Sequence, residues 1–341
     1  MKKRTFKAPS GATLSMTELG FGTGPLGNLF RPHTEKEAQN TLSTAWKTGV
    51  RYYDTAPLYG LGLAETRLNH FLRGKKRKDY VLSTKVGRTL SVCPPDQRTG
   101  IGKFFDTPSR MENFNYTYDG VMRSLEDSLE RLGIDYVDIL YVHDIDVFTH
   151  GSEAARDAHV KTLMTSGYKA LVKLRDEKVI KAFGAGINEW QVAKTLTEAG
   201  DFDIFLLAGR YTLLEQGALD HFLPLVQKRG IGIVVGGPYN SGILATGARP
   251  GATYDYQKAP KAVMDRVRRI EAVCTRHRVK IAQAALRFPM THPSVVSVIP
   301  GGGSPKEASL NARTMSVKIP KALWKDLKAE GLVHKDAPVP R

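Results

Sequence analysis

Eight short apolar runs, rich in Val, Ile, Leu and Tyr and each followed by a longer amphipathic or polar stretch, punctuate the chain. They fall at residues 19–22, 51–54, 80–85, 137–143, 180–186, 204–207, 232–236 and 295–299. Between them apolar residues recur at helical spacing, most clearly over 35–48, 118–132, 167–177 and 263–276. A strand followed by a crossover helix is what a parallel sheet requires, and eight such strands favour a closed (β/α)8 TIM barrel of the α/β class over an open sheet.

Ahead of the first run, residues 5–16 place Pro9, Ser10 and Gly11 between two short alternating stretches. This predicts a β-hairpin positioned to plug the barrel floor. No Ser/Gly-rich linker or shift in composition divides residues 1–341, which are therefore read as one domain. Two connections are long: 89–117 after the third strand, and 144–166 after the fourth, the latter holding the start of a helix. Long loops at the carboxyl ends of barrel strands are where substrates are held. Phe104, Phe105, Phe114 and Tyr116 in the first loop either shape a pocket or pack on one another.

The net charge of +16 would suit an acidic partner, but the cations are spread along the chain. Their densest run, Arg73 to Lys78, reads as a solvated turn, and no zinc-finger, RNP or KH pattern accompanies it, which argues against nucleic acid as a partner. Neither a spanning apolar segment nor an apolar signal core follows Met1-Lys2-Lys3-Arg4, so no membrane partner and a cytoplasmic setting are expected. Cys93 and Cys274 lie far apart without metal-ligand spacing and are read as free thiols, and no metal site is expected. No heptad seam specifies an oligomeric state.

On this strand assignment Asp54, Lys85 and His143 stand at the carboxyl tips of strands two, three and four, with Tyr59 on the adjoining loop. That end of a barrel is where chemistry is done. A phenol is a poor base at neutral pH, but a nearby ammonium stabilises its phenolate. In this reading Lys85 supplies the cation, Asp54 holds Lys85, Tyr59 exchanges a proton with a small-molecule substrate, and His143 orients the reacting oxygen. Each residue alone has an ordinary structural explanation; the four together on consecutive strand tips do not.

The stretch Asp54-Thr55-Ala56-Pro57-Leu58-Tyr59-Gly60 resembles the Asp-Thr-Ala-x-x-Tyr-Gly signature of the aldo-keto reductases. Ser83-Thr84-Lys85-Val86 is similar to their lysine strand and Tyr141-Val142-His143 to their histidine strand, and the likeness extends from Leu19-Gly20-Phe21-Gly22 to Asp336-Ala337-Pro338-Val339-Pro340. The resemblance implies a barrel, a nicotinamide cofactor and the four catalytic roles above. The stretches 236–244 and 184–190 look like the branch holding D-threo-aldose 1-dehydrogenases, L-fucose and L-galactose dehydrogenases and pyridoxal 4-dehydrogenase. Its members oxidise a cyclic hemiacetal to a lactone.

No G-x-G-x-x-G opens a βα unit near the start of the chain, so a Rossmann cradle is not expected. The phosphate site of a barrel lies instead in the loops after strands seven and eight. Here these offer Gly237, Tyr239, Asn240, Ser241, Gly242 and Leu244, then Gly301, Gly302, Gly303 and Ser304, with a helix beginning near Pro305. By resemblance, NADP-dependent relatives carry Arg or Lys in the stretch after strand eight, where alignment on Ser304-Pro305 and Asn311 places Gly301, Gly303 and Glu307. A carboxylate there repels a 2′-phosphate and accepts from a ribose diol, so NAD is the expected cofactor. Lys306 would favour NADP, the alternative. Small residues, Ala208 and Gly236, stand where relatives often have a glutamine and a stacking aromatic, leaving Tyr211 or Trp190 to support the nicotinamide and Asn188 to bind its carboxamide. The expected reaction is hemiacetal oxidation. Alternatives are pyridoxal oxidation, NADPH-dependent reduction of aldehydes or ketones by the same residues, and a nucleotide-sensing subunit without catalysis.

Overall fold

Each apolar run forms a strand of one sheet in a computed structural model of the chain, which describes residues 1–339. Pro340, where the C-terminal part of the resemblance ends, lies outside the described residues. The strands are Phe21–Gly22, Tyr52–Asp54, Val81–Val86, Ile139–His143, Ala182–Ile187, Ile204–Ala208, Gly232–Gly236 and Val295–Ile299. They neighbour one another in chain order, and every pair is parallel. Parallel bridges from Leu19 to Val298 and from Gly22 to Gly301 join the eighth strand to the first. The sheet is therefore a (β/α)8 barrel, and closure removes its edges.

Both faces of these strands are covered, which is why they read as nearly continuous apolar runs rather than alternating ones. Outward side chains such as Leu82, Leu140, Phe183 and Phe205 pack with the surrounding helices. Inward ones, among them Tyr52, Tyr141, Ile204 and Val234, form a second core inside the barrel. The N-terminal hairpin pairs Lys3–Lys7 with Thr13–Thr17, and its Phe6, Leu14 and Met16 belong to that inner core. It seals the amino-terminal end of the barrel.

Helix ends follow their local chemistry. Thr34 and Glu37 form a reciprocal capping box at the start of Glu35–Lys47. Thr117 caps Tyr118–Leu132, which stops at Gly133 in a left-handed conformation. Ser304 caps Pro305–Met315.

Three features go beyond the sequence expectation. Residues 89–117 are not an irregular loop, because Arg88–Val92 pairs antiparallel with Arg110–Phe114. The two arms are separated by a long insertion without a tight-turn signature, so their pairing left no short-range signal. The segment 144–166 holds two helices, Val147–His150 and Glu153–Thr162, and the second runs through a π-helical turn, Leu163–Gly167, into Tyr168–Asp176. A small ribbon, Thr253–Tyr254 with Gln257–Lys258, rises from the connection after strand seven. Among the described residues, no helix is long and apolar enough to cross a membrane, and no group of three or more His, Cys, Asp or Glu side chains could hold a metal.

Candidate active site

Side chains two residues apart on a strand share a face. Asp54, Lys85 and His143 therefore sit one pleat above Tyr52, Ser83 and Tyr141, which belong to the barrel interior. The lower layer is polar where it meets the upper one. Tyr52 Oη lies 3.0 Å from Ser83 Oγ and 3.4 Å from Tyr141 Oη, and Ser83 donates to Asp54 Oδ1 at 2.7 Å. Lys85 Nζ donates to Asp54 Oδ2 at 2.7 Å and to the Thr55 carbonyl at 2.8 Å. Both members of this ion pair are buried. Gly186 gives the lysine room, since a Cβ there would lie 3.2 Å from Lys85 Cε.

Tyr59 enters from the loop after the second strand. Gly60 is left-handed, at φ 64°, and a Cβ on it would collide with the Gly27 backbone. Glycine at both positions lets the loop after strand one press against Tyr59. The Tyr59 ring stands perpendicular to that of His143 with centroids 6.0 Å apart, and Lys85 Nζ lies 4.8 Å from the Tyr59 ring centroid. The structure thus brings all four expected residues together at one end of the barrel.

The electrostatics correct one expectation. Burial, reinforced by the Asp54 and Asp144 carboxylates, pushes the Tyr59 phenol well above its ordinary range. Lys85 does not supply the expected phenolate in the free protein: its ammonium is held by Asp54 and the Thr55 carbonyl, over the face of the ring. Burial, with Arg88 and Lys85 beside it, holds His143 well below the ordinary imidazole range. Burial raises the Asp54 carboxyl, against the opposing pull of Lys85 and the Ser83 hydrogen bond. The resting site combines a protonated phenol with a neutral imidazole.

Sequence reasoning missed Ser83, Arg88 and Asp144. Asp144 follows His143 directly, in a left-handed conformation at φ 47°. Its Oδ2 accepts from Arg88 Nη2 at 2.5 Å and its Oδ1 from Asn188 Nδ2 at 3.0 Å. Oδ2 also lies 3.3 Å from His143 Nε2. Arg88 is buried and pairs on its other side with Glu112 of the Arg110–Phe114 strand. Ser83 was legible, two residues before Lys85 on the same face. Arg88 and Asp144 lie just past the ends of their strands, where alternation gives no direction.

The expected cofactor residues divide. Gly237 is exposed, and a Cβ there would meet only the Gly209 nitrogen, at 3.7 Å, so the space above its backbone is open. Gly242 is partly exposed and Gly301 exposed, whereas Gly302 is buried against Phe21. Glu307 reaches back to accept from the Gly303 amide at 2.7 Å. Tyr239 donates to Asn311 Oδ1 at 3.0 Å, tying the loop after strand seven to the helix after strand eight.

Leu244 and Asn240 do not present side chains for a ligand. Leu244 is fully buried in the outer core. Asn240 is a strut, accepting from Thr212 Oγ1 at 2.6 Å and donating to the Gly209 carbonyl at 2.9 Å. Ser241 Oγ accepts from the Tyr256 amide at 3.0 Å and so anchors the small ribbon. Asn188 Nδ2 is taken by Asp144 and Asp146, which leaves Oδ1 as the atom without a hydrogen-bond partner among the described residues. Tyr211 lies in the core against Phe288 and His292, and Trp190 packs on His221, so Tyr211 is no platform for a nicotinamide. Of the loop aromatics, Phe104 and Tyr116 are buried, and Tyr116 donates to the His143 carbonyl at 2.8 Å. Phe114 is exposed beside Arg88.

Comparison with known proteins agrees with this arrangement. The profile of the aldo/keto reductase family matches residues 18–330. The chain is 41% identical over 330 residues to a pyridoxal 4-dehydrogenase of Microbacterium luteolum, covering 94% of this chain and 95% of that protein. It is 39% identical over 336 residues to a D-threo-aldose 1-dehydrogenase of a Pseudomonas species, covering 96% and 98% respectively. Among solved structures, an aldo-keto reductase from Bacillus halodurans in its holo form superposes with a TM-score of 0.75 at 23% identity, covering 100% of this chain and 98% of that one. The barrel, the motif residues gathered at its mouth and a family match over most of the chain make this protein an oxidoreductase that belongs to the aldo/keto reductase family.

Proposed function

We propose that the chain oxidises a cyclic hemiacetal, foremost an aldose such as L-fucose, L-galactose or D-arabinose, to its lactone with NAD as hydride acceptor. The observation that carries the reaction class is the convergence of Tyr59 and His143 above the buried Asp54–Lys85 pair. The aldose as substrate rests on the 39% identity to the aldose dehydrogenase.

The residues present fit a dinucleotide. The open backbone at Gly237, the exposed Gly301 before a capped helix, and the unpartnered Asn188 Oδ1 lie around the same end of the barrel. The bound dinucleotide supplies the hydride acceptor. His143 and Tyr59 hold the anomeric hydroxyl between them; once the Tyr59 phenol has lost its proton to solvent, the hydroxyl proton passes to the Tyr59 phenolate oxygen as the anomeric C–H leaves as hydride and the C=O of the lactone forms. Asp54, itself held by Ser83, and the Thr55 carbonyl fix the Lys85 ammonium, which stabilises the phenolate that Tyr59 must carry before it accepts this proton. NAD is favoured because Glu307 faces the glycine turn, where a 2′-phosphate would meet its carboxylate.

The resting protonation supports a second reading. A protonated Tyr59 is ready to donate, so the same four residues also suit reduction of an aldehyde. The 41% identity to a pyridoxal dehydrogenase makes pyridoxal a further hemiacetal to test. The experiment is formation of reduced cofactor from NAD and from NADP with the three sugars and pyridoxal in parallel. Sugar turnover is expected with NAD. Tenfold better efficiency with NADP would overturn the cofactor assignment, and silence with all sugars would overturn the aldose.

A further inference from the structure

We propose that Asp144 is a substrate-contact residue that reads the hydroxyl on the carbon next to the reacting one, position 2 of an aldose. The inference rests on the aldose reading above.

Three observations carry it. First, Asp144 Oδ2 stands 3.3 Å from His143 Nε2, the nitrogen assigned to the reacting oxygen because Nδ1 is buried without a partner among the described residues. Oxygens on adjacent sugar carbons are also separated by about one hydrogen-bond length, ~3 Å. A sugar whose O1 sits at His143 therefore brings its O2 within reach of this carboxylate. Second, the carboxylate is held but not saturated. Arg88 and Asn188 donate one hydrogen bond to each oxygen, a carboxylate accepts about four, and the side chain keeps 17% of its surface exposed. Third, the position is built at a cost. A non-glycine residue at φ 47° is uncommon, and the amide is pinned to the Gly186 carbonyl at 2.8 Å.

The chemistry of the acceptor also gives orientation. The anomeric carbon has two neighbours, the C2 hydroxyl and the ring oxygen, and only the hydroxyl can donate. A carboxylate on this side therefore sets which way round the sugar binds and which face of the anomeric carbon presents its hydrogen. A site that pairs a substrate hydroxyl rejects the analogue lacking it, because the buried acceptor is left short of a donor.

The test compares D-arabinose and L-fucose with their 2-deoxy forms, using NAD and the full-length protein. The wild type is expected to favour the parent sugars by at least tenfold in kcat/KM. Asp144→Asn keeps the shape, and asparagine tolerates the left-handed backbone better; it is expected to bring that ratio to within about threefold of one. Because Asp144 also holds Asn188, a residue of the proposed cofactor site, the melting temperature rather than NAD binding reports whether the variant is folded, and the wild-type arm stands even if it is not. If Asp144 only neutralises Arg88, Asp144→Asn will lower turnover of parent and deoxy sugars alike and preserve the ratio. That result, or a wild-type ratio near one, overturns the inference while leaving the aldose reading intact. No turnover of L-fucose, L-galactose or D-arabinose with either NAD or NADP overturns the aldose reading, and the inference with it.

Discussion

Tyr59 and Asp144 meet at the same point of the barrel mouth, and burial moves both toward the protonated form. For Tyr59 the consequence is directional. Oxidation needs the phenolate, and the phenol is pushed above its ordinary range by burial and by Asp54 and Asp144, so the rate of lactone formation is expected to climb with pH. It should still be rising at about pH 9, below the usual tyrosine pKa of about 10; a plateau at neutral pH would count against Tyr59 as the base. Tyr59→Phe is expected to lower kcat by about 100-fold, within the usual range for proton transfer, while NAD affinity stays nearly constant. A variant keeping more than a tenth of the wild-type rate would remove Tyr59 from the mechanism. For Asp144, burial, partly opposed by Arg88 and reinforced by Asp146, lifts the carboxyl to about 6. Above that pH it is an acceptor; below it a proton occupies one acceptor position. Discrimination against 2-deoxy sugars is therefore expected to fall as pH drops through about 6, measured as the ratio of kcat/KM values. The tetrad was legible in the sequence because strand tips and period-two alternation fix where Asp54, Lys85 and His143 point. The phenolate was not, because it depends on which partner Lys85 prefers.

Loops decided what was misread at the level of elements. Asn240, Ser241 and Gly242 all have positive φ, at 45°, 58° and 101°. Such a turn inverts the backbone in a way that sequence spacing does not express, so Asn240 became a strut and Leu244 a core residue. The same connection carries the ribbon Thr253–Tyr254/Gln257–Lys258, whose turn residue Asp255 takes both terminal nitrogens of Arg210, at 3.0 and 2.9 Å. From that turn Tyr256 meets Phe30, which belongs to the loop after strand one, with ring centroids 6.2 Å apart. The two aromatics join the loops after strands seven and one, the two strands that flank strand eight. Arg210→Ala is expected to loosen the ribbon and speed its hydrogen exchange. A charge-assisted pair of this kind contributes about 1.5–3 kcal/mol, so local protection should drop by about tenfold or more. Unchanged exchange across 253–258 would show that the contacts of Ser241 and of Tyr254 with Glu215 hold the ribbon without Arg210.

The barrel itself was the most legible feature, since eight apolar runs in parallel order leave few other ways to cover both faces of a sheet. Its weakest seam by the same logic is the amino-terminal end, where a hairpin of two five-residue strands stands in for a layer of helices. Leu14 is buried there in the inner core. Leu14→Ala is expected to cost about 2–5 kcal/mol and lower the melting temperature by several degrees, with kcat little changed because the tetrad lies at the other end. A large fall in kcat without loss of stability would mean the floor transmits strain to the site. The filled barrel also governs traffic, because Tyr52, Tyr141, Ile204 and Val234 occupy its interior and leave the carboxyl-end mouth as the way in. A barrel with one door makes arrivals and departures share a path, so whichever reactant lies deeper must enter first and leave last. With side chains filling the barrel beneath the site, turnover is expected to be a queue, in which the order of binding is set by the architecture rather than by affinity.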